Sequence, residues 1–134
     1  ITSPFFTGVV CHMNDDEITV ELEDGKRLVS DSLSRLETTE GDSVRLGFRP
    51  QDAKIVINPA PNAENILIGT VIQKMYFGGL VRYNLETSSG LQMQAEEYAP
   101  IRDGSNTEGD AISISIPRDR LMVFPVGEEE EIGQ

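Results

Sequence analysis

The sequence contains little of what enzymes and membrane proteins use. It has one cysteine, Cys11, so no disulfide can form within the chain, which is compatible with a reducing compartment. Its apolar runs stop far short of the roughly 18 residues that a membrane helix needs. It has no Gly-x-x-x-x-Gly-Lys-Ser/Thr phosphate loop, so it cannot hydrolyse ATP by that route. We expect no catalytic residue, no cofactor and no metal ion in this chain.

Basic residues are also scarce. The chain has 11 Lys and Arg against 23 Asp and Glu, a formal net charge of -12. Such a balance repels a polyanion, so nucleic acid is excluded as a partner. Residues 126–134 include four consecutive glutamates, a composition that predicts a solvated acidic tail.

Two groups of possible metal ligands are incomplete. Cys11 and His12 are adjacent, so their side chains point to opposite faces of a strand, and no further cysteine or histidine exists to complete four zinc ligands. The segment DGSNTEGD has oxygen ligands at alternate positions from Asp103 onward. However, Glu108 stands where a calcium loop needs glycine, and Ile114 stands where it needs glutamate. We therefore expect a hairpin loop there.

Two further polar groups have simple structural interpretations. Ser113 and Ser115 alternate with isoleucines, which predicts a strand with one solvated face, and the only histidine in the chain is His12, so a catalytic triad is not expected. Asp15, Asp16 and Glu17 directly precede a strand-like run. An acidic turn is the simpler interpretation of these three residues, and cation binding is the alternative.

Short runs rich in β-branched and aromatic residues dominate the chain, and several alternate apolar with polar residues. Only LVSDSLSRLE is compatible with helix, over a turn or two around Leu33 and Leu36. The pattern predicts an all-β fold, either a sandwich or a small barrel. The predicted strands are FFTGVV, EITVEL, SVRLGF, AKIVI, ILIGTVIQ, LVRYNLET, LQMQAE, AISISI and RLMVF.

The same order of landmarks occurs twice. The first set is Gly8, Asp24-Gly25, Gly41-Asp42, Pro50 and Asp52, and the second is Gly69, Ser89-Gly90, Gly109-Asp110, Pro117 and Asp119. We interpret this as a divergent duplication with units of about 5–58 and 66–125. The segment NPAPNAEN connects the two units, and the tail 126–134 follows the second.

The stretch RLGFRPQDAKIVI contains a corner. Pro50 cannot donate to a strand ladder, so the chain changes direction there, between Arg49 and Asp52. An arginine at a corner offers a planar set of donors, either to its own domain as a brace or to a neighbouring subunit. The candidate interface residues at this corner are Arg49, Pro50, Gln51 and Asp52.

Tyr76, Phe77, Gly78 and Gly79 form a second candidate group. One interpretation is a turn or bulge with buried rings, and the other is a docking patch.

The order of motifs over about Phe6 to Phe124 resembles a known family. LGFRPQD, GTVIQKMYFGGLVRYNLETSSG and GDAISISIPRDRLMVF are similar to successive parts of the transport-associated OB, or TOBE, domain. This domain is the C-terminal regulatory region of ATP-binding subunits of ABC importers of the maltose, polyamine, iron and sulfate type. Gln51 stands where the family usually has glutamate, and the loop EYAPIRDGSNTEGD is longer than usual.

The resemblance implies two OB-like antiparallel β units packed together, serving a non-catalytic regulatory and dimerisation role. It implies that residues 1–134 belong to a longer protein, whose N-terminal ATPase domain would hold ATP and magnesium. The implied partners are that ATPase domain, a second copy of the subunit and, indirectly, the membrane permease. The implied location is the cytoplasmic face of the cell membrane. The alternative is a domain of the same fold that senses a small oxyanion such as molybdate.

Overall fold

The computed structural model describes residues 5–31, 38–98 and 106–126, and these residues are mostly β-strand. The predicted all-β fold class is confirmed. No helix within the described ranges is long and apolar enough to cross a membrane. The strands are β1 Phe5–Met13, β2 Ile18–Glu21, β3 Arg27–Ser30, β4 Ser43–Gly47, β5 Lys54–Val56, β6 Ile66–Phe77, β7 Leu80–Glu86, β8 Gln92–Tyr98, β9 Ala111–Ser115 and β10 Met122–Pro125.

The third strand was not predicted. Residues 28–30 belong to the segment that we interpreted as possible helix, yet they lie in β3, which pairs with β2 in the register Ile18 to Ser30. Leu28 and Ser30 are both fully buried and flank the half-buried Val29, which is the alternation of a strand. Leu33 and Leu36 lie outside the described residues, as do Asp103 and the tail beyond residue 126.

The strands form two five-stranded antiparallel sheets of the same topology. The first has the order β10-β4-β1-β2-β3, and the second has the order β5-β9-β6-β7-β8. Each strand of one sheet therefore has an equivalent strand in the other sheet, so that β1 corresponds to β6 and β4 corresponds to β9. A β-bulge interrupts the pairing after Val10 in β1 and after Val71 in β6.

The fifth strand of each sheet comes from the other half of the chain. β5 follows β4 in sequence but pairs with β9, whereas β10 follows β9 but pairs with β4. The compact units are accordingly residues 49–116, here the second unit, and the described residues of 5–48 with 117–126, here the first unit. Neither half of the sequence contains a complete sheet.

The first unit closes on itself in the manner of a small barrel. The Asp31 N–H donates to the Arg118 carbonyl at 3.2 Å, and the Ser30 hydroxyl donates to the Leu121 carbonyl at 2.6 Å. These bonds join the end of β3 to the segment that leads into β10, the opposite edge of the same sheet. Closure of this kind protects edges that would otherwise pair with other chains. The second unit is similar, since its edge strands β5 and β8 are in contact.

Alternating side chains fill the interior of each unit, as the period of two predicts. The first unit buries Phe6, Val10, Ile18, Val20, Leu22, Leu28, Val44, Leu46, Phe48, Leu121 and Val123. The second buries Ala53, Leu67, Val71, Val81, Tyr83, Leu85, Met93, Ala95, Ile112, Ile114 and Ile116.

The tetrapeptide Thr-Glu-Gly-Asp occurs before β4 and before β9, and it forms the same turn each time. In Thr39–Asp42, the Thr39 N–H donates to the Asp42 carboxylate at 2.9 Å, and Gly41 has a φ of +96°. The Gly41 N–H then donates to the Val10 carbonyl at 2.8 Å, which holds the turn against the bulge. Thr107–Asp110 repeats these contacts with Val71.

The first of these turns makes stability depend on pH. Hydrogen bonds from the Thr39 N–H and the Thr38 hydroxyl lower the pKa of Asp42 below 3.8. A lowered pKa in the folded state stabilises the protein above pH 3.8, and this contribution is lost as the pH falls through the folded pKa. Asp42→Asn should therefore be less stable than the wild type near neutral pH, with a difference that shrinks in acid. Urea unfolding across the pH range measures this.

Asp16→Asn is the control for that measurement, because it removes one negative charge from an exposed side chain that is not part of the Thr39–Asp42 turn. This control separates the loss of one negative charge from the loss of the contacts with Thr38 and Thr39. If the Asp42→Asn difference stayed constant down to the lowest pH, the explanation of the lowered pKa would be wrong.

Candidate functional site

The Arg-Pro corner forms a one-turn 3-10 helix, Pro50–Asp52, between β4 and β5. Arg49 precedes it in extended conformation, and its Nε–H donates to Asp52 Oδ2 at 3.0 Å. The Arg49 side chain is 55% exposed, whereas that of Asp52 is 14% exposed. Arg49 thus braces its own corner and still presents its side chain at the surface, so the interface role remains a prediction.

The second group forms the tip of the β6–β7 hairpin. Phe77 pairs with Leu80, which leaves Gly78 and Gly79 as a two-residue turn, with Gly78 at a φ of +63°. Tyr76 is 65% exposed and Phe77 is 49% exposed, so the interpretation with buried rings is wrong. The reason is that β9 pairs with β6 only as far as Thr70, and the end of β6 therefore has a strand neighbour on one side alone.

Arg82 connects this hairpin to β8. Its Nε and Nη2 groups donate to Glu96 Oε2 at 2.8 and 2.6 Å, and its guanidinium lies 5.3 Å from the centre of the Phe77 ring. The Tyr98 hydroxyl donates to Glu96 Oε1 at 3.1 Å, and this bond raises the pKa of Tyr98. We call Phe77, Arg82, Glu96 and Tyr98 the Arg82 cluster.

The cluster is partly buried and partly open. The Glu96 side chain is only 6% exposed, and the Arg82 side chain is 37% exposed. Tyr98, by contrast, is 59% exposed, so an aromatic surface surrounds an arginine whose position is fixed by a buried carboxylate. Two hydrogen bonds to one oxygen of a buried carboxylate and the contact with the Phe77 ring both restrict the guanidinium.

The structure brings both predicted groups into the second unit. The 3-10 helix that contains Pro50, Gln51 and Asp52 contacts β8, the strand that carries Glu96 and Tyr98. The sequence did not reveal Arg82, Glu96 or Tyr98 as site residues. Their association depends on the cross-strand register, in which Arg82 pairs with Glu96 and Leu80 pairs with Tyr98.

The opposite face of the same hairpin is also aromatic. Lys74 Nζ lies 5.4 Å from the centre of the Tyr76 ring and 5.7 Å from that of Tyr83. The buried Tyr83 donates its hydroxyl to Glu97 Oε1 at 2.9 Å. Burial is the main cause that raises the pKa of Tyr83 to about 12, and the bond to Glu97 is the second. The Tyr83 hydroxyl therefore stays protonated and neutral.

The other candidate residues form local contacts. The Cys11 thiol donates to the Thr19 carbonyl at 3.5 Å, and His12 Nδ1 lies 4.0 Å from the exposed Glu40 carboxylate. The Asn14 carboxamide accepts the Asp16 and Glu17 N–H groups, so the acidic segment is a turn. Over residues 5–31, 38–98 and 106–126, no group of three or more His, Cys, Asp or Glu is arranged to hold a metal ion.

A groove of about 610 Å³ lies on the first unit. Glu21 and Glu23 both line it, and Arg27 pairs with Glu21 at 3.1 Å. Two carboxylates in such a groove disfavour an oxyanion. The groove is lined by Thr7, Gly8, Val9, Cys11, Glu21, Leu22, Glu23 and Ser43.

Comparisons with known proteins identify the fold. No family model matches the chain, and no curated protein matches it. Among solved structures, the chain is similar to the cytoplasmic molybdate-binding protein ModG, crystallised with molybdate bound. The TM-score is 0.78 at 17% sequence identity, covering 92% of this chain and 96% of that chain. The fold of two OB-like β units is thus shared over nearly the whole of both chains.

Proposed function

We propose that this chain is a non-catalytic regulatory and dimerisation domain of the ATP-binding subunit of an ABC importer. The observation that carries the proposal is the Arg82 cluster, an exposed aromatic surface around a fixed arginine. Tyr and Arg dominate the residues that contribute most to protein interfaces, and rigid side chains lose little entropy on binding.

The sequence resemblance supplies the context for this surface. The order of motifs from Phe6 to Phe124 resembles that of a TOBE domain, and the structure has the all-β fold that the resemblance implies. The proposed partners are the subunit's own N-terminal ATPase domain, where ATP and magnesium would bind, and a second copy of the subunit. The permease would be contacted indirectly, at the cytoplasmic face of the membrane. The units 5–58 and 66–125 would be the two copies of an ancestral TOBE half.

Arg49→Ala tests the corner in the full-length subunit. If Arg49 contacts a neighbouring subunit, the dimer dissociation constant should rise about tenfold, or roughly 1.4 kcal/mol. The melting temperature should change little, because the Arg49 side chain is 55% exposed and an ion pair open to solvent on one side contributes only about 0 to 1 kcal/mol. Sedimentation equilibrium and thermal unfolding give the two quantities. A lowered melting temperature with an unchanged dimer dissociation constant would show that Arg49 only stabilises its own corner.

A second candidate function is oxyanion sensing, and the fold shared with ModG favours it. Backbone N–H groups can form a local anion site on a protein of opposite net charge. The net charge of -12 and the two glutamates of the groove count against this candidate.

Thermal unfolding with molybdate, tungstate or sulfate at millimolar concentration separates the two candidates. A ligand at about 100 times its dissociation constant stabilises the folded state by roughly 2.7 kcal/mol. We expect no shift relative to chloride at matched ionic strength. A rise of several degrees with one anion would instead support the sensor.

A further inference from the structure

The groove on the first unit is built around Val9, on the outward side of β1. Val9 lies between Glu21 of β2 and Ser43 of β4, because it pairs with both residues. Val9 is 45% exposed, so an apolar side chain in the groove is open to solvent. The turn that follows β2 adds Leu22 and Glu23 to the lining. The volume of about 610 Å³ lies in the range of small-molecule sites, roughly 300 to 1,000 Å³.

The charges in the groove favour a cation. Glu21 and Glu23 are the two charged residues among the described residues that line it. Arg27 donates to Glu21 Oε1 at 3.1 Å, which leaves the second oxygen of Glu21 for another donor. The Glu23 carboxylate makes no hydrogen bond or ion pair with the described residues. The groove therefore has more negative charge than Arg27 balances.

The composition of the groove favours an organic cation over a metal ion. No group of three or more His, Cys, Asp or Glu within the described ranges is arranged to hold a metal, and hard cations such as calcium need about six to eight oxygen ligands. An ammonium group has three N–H donors, which carboxylates and the hydroxyl groups of Thr7 and Ser43 can accept. A hydrocarbon chain attached to it would bury the exposed side chain of Val9.

The second unit shows that the fold does not require this set of side chains. The turns after β2 and β7 are equivalent, since Gly25 and Gly90 each donate an N–H to the carbonyl three residues earlier. A serine therefore takes the place of the Glu23 carboxylate. The strand pairing and this turn give the equivalences Thr7 with Ile68, Cys11 with Ile72, Glu23 with Ser88 and Ser43 with Ala111.

We propose that the groove of the first unit binds a small aliphatic amine in its protonated form. The ammonium group donates to Glu23 and to the second oxygen of Glu21, and the alkyl chain lies along Val9 and Leu22. An alkylamine, like the lysine side chain with its pKa of about 10.4, is charged at neutral pH. The site does not depend on the proposed importer role, because the groove belongs to the first unit and the Arg82 cluster to the second.

Titration of the 134-residue chain with 1-aminopentane, followed by two-dimensional NMR of the backbone amides at neutral pH, tests the proposal. Saturable shifts should be concentrated at the groove, for example at Gly8 and Glu23. The equivalent amides of the second unit, Gly69 and Ser88, should shift no more than they do with sodium chloride at matched ionic strength. 1-Pentanol, which has the same alkyl chain without the charge, should give no saturable shifts.

Three variants test the two parts of the site. Glu23→Gln should weaken the binding of 1-aminopentane about tenfold, because the hydrogen bond to a charged acceptor is lost. Glu86→Gln removes the same charge from the second unit, at the position equivalent to Glu21, and should bind like the wild type. Val9→Ser should weaken the binding of 1-aminopentane more than that of methylamine, which has no chain to bury.

Two results would overturn the proposal. Shifts spread over both units, or equal weakening by Glu23→Gln and Glu86→Gln, would mean that the amine responds only to the net charge of -12. Tighter binding of N-acetyl-lysine amide than of 1-aminopentane would mean that the groove fits a side chain of a partner protein rather than a free amine.

Discussion

Gly8→Ala should lower the free energy of unfolding by about 3 kcal/mol, at the upper end of typical overpacking. A Cβ atom at Gly8 would lie 2.4 Å from Val20 Cγ1 and 3.0 Å from the Glu21 carbonyl oxygen. Val20 is fully buried with a β-branched side chain restricted at χ1, and the carbonyl belongs to β2, so neither atom can move without disturbing its neighbours. Urea unfolding monitored by circular dichroism measures the loss.

Alanine substitutions at two other glycines serve as comparisons for Gly8→Ala. Gly69 is equivalent to Gly8 in the second sheet, but a Cβ there would meet Leu85 Cβ at 3.0 Å as its nearest atom, so Gly69→Ala should cost only about 1 kcal/mol. Gly79 has no heavy atom within 4 Å of the added carbon, and Gly79→Ala should be near neutral. A Gly8→Ala protein as stable as Gly79→Ala would show that β1 and β2 do not approach as closely as described.

Arg82→Ala should cost about 2 to 3 kcal/mol of stability. The substitution removes two charge-assisted hydrogen bonds and leaves Glu96, only 6% exposed, without its cation. Breaking a fully buried ion pair costs about 3 to 5 kcal/mol, and the partial exposure of Arg82 reduces that figure here.

A double-mutant cycle separates the cost of leaving the Glu96 carboxylate unpaired from the cost of losing the packing of the Arg82 side chain. Glu96→Gln in the Arg82→Ala background should restore part of the lost stability, because it removes the uncompensated carboxylate. Chemical unfolding of the four proteins gives the coupling energy. If the two substitutions were simply additive, Arg82 and Glu96 would not act as a pair.

Most of the strands could be predicted because their pattern is local. Alternation of buried and exposed side chains, as in β7 and β9, follows from the sequence of each strand alone. β3 was missed because its four residues run into a segment with a weak helical pattern. The exchange of β5 and β10 between the sheets could not be predicted, since an apolar strand has the same local pattern with either partner.

The candidate site was predicted in part. The Arg49-Pro50 step marked a corner because proline constrains the chain whatever surrounds it. The Arg82 cluster depends on the register between β7 and β8, and the exposure of Tyr76 depends on where β9 stops pairing with β6. Both are properties of the assembled sheet, so no short segment encodes them.

The central claim is that the second unit contacts a neighbouring subunit through the Arg82 cluster. The most direct test is the dimer dissociation constant of the full-length subunit carrying Phe77→Ser and Tyr98→Ser, measured by sedimentation equilibrium. Val9→Ser is the control, because Val9 is 45% exposed on the first unit. We predict that the double variant dimerises at least about tenfold more weakly while its melting temperature stays close to the control's. A dimer constant equal to that of Val9→Ser would contradict the claim.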